Sequence, residues 1–67
     1  MTESNALKSA IDNKGLKLSY IANKLGLSRS GLYKKLDGIT EFKASEIAVL
    51  SDLLDLSAAE IHTIFLQ

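Results

Sequence analysis

Apolar positions recur along this chain at helical spacing, in five short blocks set off by glycine, serine or lysine. The first block, Ser4 to Lys14, carries Leu7, Ala10 and Ile11 on one face. Ser4 or Thr2 is expected to cap it, and Gly15 ends it. The second block covers Leu18 to Leu25, with Ile21, Ala22 and Leu25 on one face, and follows Lys17, a poor capping residue. The third runs from Arg29 to about Asp37 and stops at Gly38; Leu32 turns it toward the second. A loop from Gly38 to Phe42 follows, with Phe42 expected to fold back into the core. The fourth block, Ala44 to Leu54, places Ile47, Leu50 and Leu54 at i, i+3 and i+7. The fifth opens on the capping box Ser57-Ala58-Ala59-Glu60 and continues to about Phe65. Few β-branched runs alternate, so the expected fold class is all-α, with five helices.

The stretch Leu18 to Asp37 carries most of the functional information. Ala22 is small enough for the third helix to approach the second closely. Gly26 stands where the chain must turn, and it takes a left-handed backbone without a Cβ penalty. Leu27 buries, and Ser28 can accept a hydrogen bond from the free amides that open the third helix. Together these residues predict a helix-turn-helix at helices two and three, whose second helix commonly reads the DNA major groove.

With Ile21-Ala22, Leu25-Gly26-Leu27-Ser28 and Leu32 in place, the chain resembles the helix-turn-helix domain of phage Cro and repressor proteins. Phe42-Lys43-Ala44-Ser45-Glu46-Ile47 and Ile64-Phe65-Leu66 look like the small Cro-like regulators of Gram-positive phages. The resemblance extends from about Leu7 to Leu66. It implies a five-helix Cro/repressor-like DNA-binding domain and a transcriptional regulator. It also implies base-facing roles for the residues at the positions of Arg29, Ser30 and Lys34.

Composition sets the scale. The chain of 67 residues has room for one domain, 1–67, with one small core. Such a chain buries only ~60% of its unfolded surface, so modest stability is expected. Formal net charge is zero, which by itself argues against a polyanionic partner. Its distribution reverses that inference. From Leu16 to Lys43, Lys17, Lys24, Arg29, Lys34, Lys35 and Lys43 face only Asp37 and Glu41, a local excess of +4. The rest of the chain carries −4. Charges farther off than ~8 Å are largely screened, so the basic segment can attract phosphate.

Arg29, Ser30 and Lys34 are expected to point outward together, with Tyr33 beside them, as candidate base contacts. Arginine presents a planar fork matched to guanine O6 and N7. Tyr33 can meet a thymine methyl or a phosphate, or lie on the stem of Lys17. Candidate phosphate contacts are Lys17, Ser28, Lys35 and Lys43, with Ser28 at a helix N-terminus where free amides favour anions. Lys35 stands where the motif carries an apolar residue, with apolar Leu36 next to it. A slightly rotated third helix would let Lys35 and Leu36 exchange roles. Gly31 lies inside the same helix, at a cost of ~1 kcal/mol relative to alanine.

Catalytic constellations are missing from the sequence. His62 is the single histidine, and there is no cysteine, so neither the usual zinc sets nor a disulfide can form. No phosphate-cradling glycine loop, signal peptide or membrane-length apolar run is present. The expectation is a cytoplasmic, non-enzymatic protein that needs no cofactor, metal or small-molecule ligand. Its partner would be double-stranded operator DNA. The alternative is a protein-interaction module on the same fold, an antirepressor or an antitoxin, which has no need of a basic motif. One recognition helix reads few base pairs, and related proteins bind two half-sites as dimers. Ile64, Phe65 and Leu66 look like surplus apolar surface and are the expected interface of a weak dimer, formed free or only on DNA; the alternative is that Ile64 and Phe65 close the small core.

Overall fold

The computed structural model of the chain describes residues 2–66; Met1 and Gln67 of the expected domain lie outside the described residues. Five helices form among them and no strand: α1 (Ser4–Lys14), α2 (Leu18–Leu25), α3 (Arg29–Leu36), α4 (Ala44–Leu54) and α5 (Ala58–Phe65). The blocks read from the apolar spacing coincide with them, apart from a one-residue difference at the end of α3. Caps decide the boundaries. Ser28 Oγ accepts the Gly31 amide at 3.1 Å, and Ser57 and Glu60 form the expected reciprocal box at 3.1 and 2.9 Å. At α1 the cap is neither Ser4 nor Thr2 but Glu3, whose carboxylate accepts the Asn5 amide at 3.0 Å.

Gly26 closes α2 with φ +70°, and the Leu27 amide reaches back to the Ala22 carbonyl at 2.9 Å. This makes a tight turn between α2 and α3, and the left-handed residue lets it form without strain. The same conformation ends α4 at Asp55, φ +52°, where the side chain does carry a Cβ.

The core draws on every helix. Leu7 and Ile11 come from α1, Ile21 and Ala22 from α2, Leu32 and Leu36 from α3, and Leu50 and Leu54 from α4. α1 packs against α3, α4 and α5, while α2 packs against α3 and α4. Phe42 does fold back from the loop and meets Phe65 edge to face, with ring centroids 5.7 Å apart. The Glu3 amide donates to the Ile64 carbonyl at 2.6 Å, so the entry to α1 is fastened to the end of α5.

This packing corrects the reading of the C-terminal apolar residues. Ile64 and Phe65 are only 4% and 5% exposed, and they complete the core. α5 packs along α1, and a core this small needs both side chains to fill that space. Leu66 alone of the three stays at the surface, 62% exposed. Among the described residues no helix is long and apolar enough to cross a membrane.

Candidate nucleic-acid interface

At ~100° per residue, Leu32 and Leu36 define the buried stripe of α3. Lys34 falls opposite that stripe, with Ser30 beside it. Arg29 and Tyr33 occupy one flank, and Lys35 the other. All four expected base-contact residues, Arg29, Ser30, Tyr33 and Lys34, are exposed on an arc of about 140°. Ser28 and Ser30 place their hydroxyls 3.4 Å apart at the start of the helix. Gly31 is tight against the cap, since a Cβ there would stand 3.2 Å from Ser28 Oγ.

Electrostatics separate two kinds of lysine. Among the described residues there are two ion pairs, Lys8–Asp37 at 2.9 Å and Lys35–Glu46 at 2.6 Å. Lys17, Lys24, Arg29, Lys34 and Lys43 are therefore not ion-paired to any carboxylate among the described residues. Lys17 precedes α2 and Lys43 precedes α4, and both side chains are exposed. The Lys24 ammonium lies 5.6 Å from the centre of the Tyr20 ring one turn earlier, an aromatic–cation pair that the sequence reading did not single out.

Lys35 is not available for phosphate. Its Nζ is directed inward, donating to Glu46 Oε1 at 2.6 Å and to the Glu41 carbonyl at 3.2 Å, with the Phe42 ring centre 5.8 Å away. It lies on the flank of α3 that meets the following loop and α4, while Leu36 completes the stripe that Leu32 begins. Lys35 and Leu36 therefore do not exchange roles: Leu36 enters the core and Lys35 is also turned inward, against Glu46. Glu46, which sequence reasoning missed, is the counter-charge. Burial alone pushes its carboxyl up. Hydrogen bonds from Lys35 and the Lys43 amide, with the positive charges of both lysines, outweigh that and hold it below the ordinary carboxylate range. An available signal was a glutamate three residues after a cap position that lacks serine or threonine.

Tyr33 lies beside the segment that leads into α2. Its half-exposed ring borders a groove on the α1 flank with Ile11, Leu16, Leu18 and Leu36, and the Lys8–Asp37 pair crosses the rim. His62 is exposed on α5, and no cluster of three metal-ligating side chains occurs among the described residues. No family model, curated protein or solved structure matches the chain.

Proposed function

We propose that this chain is a sequence-specific DNA-binding regulator of the Cro/repressor-like type, which lays α3 in the major groove of an operator and so blocks transcription. One observation carries the reading. α3 buries Leu32 and Leu36, presents Ser30 and Lys34 on its outer side and leaves Arg29 exposed on one flank, and neither Arg29 nor Lys34 has a carboxylate partner among the described residues. A helix held this way can offer bidentate donors to base edges without first breaking an ion pair. Ser28 and the free amides behind it, with Lys17 and Lys43 at the starts of two neighbouring helices, supply the sequence-independent phosphate contacts. A pure protein-interaction module has no need of this set of cations.

Binding to DNA flanking its own gene, and to sites selected from a random pool, tests the proposal. Neutralising about two phosphates through Lys17 and Lys43 gives a log–log salt slope near −2, at ~0.9 per contact. Specific binding over random DNA is expected at moderate salt. Equal affinity for all sequences, or no binding at low salt, rejects the proposal. Two copies on half-sites about 34 Å apart would double the readout. With Ile64 and Phe65 in the core, Leu66 is what remains of the expected dimer surface. Sedimentation of the complex with full and half operators reports the number of copies bound; one copy on the full site at undiminished affinity removes the dimer.

A further inference from the structure

The Lys35–Glu46 pair has a geometry that neither DNA contact nor core filling requires. From the last turn of α3, the Lys35 ammonium reaches the Glu41 carbonyl at 3.2 Å, lies over the Phe42 ring and donates to Glu46 Oε1 at 2.6 Å. The same carboxylate oxygen accepts the Lys43 backbone amide at 2.8 Å. Both side chains are nearly buried, 11% and 9% exposed. The near end of this loop is also fastened to α3, through the Gly38 amide on the Lys35 carbonyl at 3.2 Å and the Ile39 amide on the Lys34 carbonyl at 2.9 Å. The whole connection from α3 to α4 is therefore tied back to one turn of α3.

A buried ion pair is weak evidence for stability, because an apolar pair of the same size often serves as well. It supplies direction instead, through fixed hydrogen-bond lengths and angles. The residue whose backbone is fixed is Lys43, and its own side chain is exposed and not ion-paired.

Resting on the DNA-binding reading, we propose that Lys35 and Glu46 form a positioning brace that sets the Lys43 phosphate contact at a fixed offset from the base-reading side of α3. Lys35 and Glu46 are then positioning residues that do not touch DNA. The brace makes the contribution of Lys43 conditional on Lys35.

A double-mutant cycle on the full chain measures this condition. Affinity for the selected site is determined for wild type, Lys43→Ala, Lys35→Met and the double variant, at a temperature where circular dichroism shows each one folded. Each single change is expected to weaken binding several-fold, and the double variant to bind no worse than the weaker single. Multiplying losses mean that Lys35 acts independently of Lys43 and overturn the brace. Lys35→Met combined with Glu46→Met removes both buried charges and gives the second readout, and it replaces Lys35→Met in the cycle if that variant does not fold. It is expected to restore thermal stability while affinity stays reduced and insensitive to Lys43→Ala. Recovery of wild-type affinity and of its dependence on Lys43 would show that the pair only fills space, and would refute the proposal. Wild-type protein that binds no DNA ends the functional reading and the brace with it. Specific binding with multiplying losses ends the brace alone.

Discussion

Replacing Arg29 with alanine should move stability and DNA recognition in opposite directions. Arg29 is the first residue of α3, exposed, and paired with no carboxylate. A cation in the first helical turn opposes the positive end of the helix dipole, at ~0.3–1 kcal/mol for an exposed group. Alanine and arginine have similar helix propensities, so little offsets that gain. Arg29→Ala should therefore raise the melting temperature by roughly 1–8 °C, at about 4–8 °C per kcal/mol for a domain of this size. On DNA, a bidentate arginine–guanine contact is worth ~1–3 kcal/mol, or a loss of roughly 5- to 150-fold for the selected site. Random DNA should lose much less. Thermal denaturation followed by circular dichroism gives the first number, and fluorescence anisotropy with specific and scrambled duplexes gives the second. A fall in melting temperature would expose an intramolecular role that the structure does not contain. Equal losses on both duplexes would make Arg29 a phosphate contact and refute its assignment as a base reader.

Other substitutions test the fold around that site. Phe65→Ala should cost ~3–5 kcal/mol as a core truncation, against a total of ~3–10 kcal/mol for a chain of this length. Denaturant titration decides it, since unchanged stability would return Phe65 to the surface. Glu46 has a carboxyl held below its ordinary range, so its contribution is present above the unfolded value of about 4.5 and disappears as pH falls through the lower folded value. Unfolding measured from pH 7 to pH 3 should show this acid loss, and Glu46→Gln should flatten it; an identical pH profile in the variant contradicts the assignment. Asp55→Gly should stabilise by about 1 kcal/mol by relieving a left-handed residue that carries a Cβ; no rise in the melting temperature would mean that the aspartate backbone is unstrained.

The helices and the turn at Gly26 are legible in the sequence because each boundary is marked locally. A glycine follows α1 and α2, Ser28 and Ser57 open α3 and α5, and apolar spacing runs between them. Lys35 is not legible in the same way. A lysine reads as solvated until its carboxylate is known, and Glu46 lies eleven positions away across a loop without regular structure. Ile64 and Phe65 mislead for a related reason. Sequence counts apolar residues near a terminus but does not say which open side of the bundle they must cover. Here that side is α1, the element farthest from them in the chain, so only the three-dimensional arrangement assigns them to the core. The outer side of α3 is legible as chemistry, since Leu32 fixes its orientation, whereas which of its flanking cations turns to solvent and which to the loop depends on contacts distant in sequence.

The bond from the Glu3 amide to the Ile64 carbonyl gives the protein an internal reporter of its topology. Glu3 precedes α1 and belongs to no helix, so winding or fraying of a single helix does not by itself protect its proton. That proton is shielded only while α1 and α5 remain docked, a contact between segments about sixty residues apart. In native-state hydrogen exchange it should fall into the slow class with the core amides and not with the chain end it occupies. Its exchange rate then measures how often the bundle parts along the α1–α5 seam, a motion that helical content does not register.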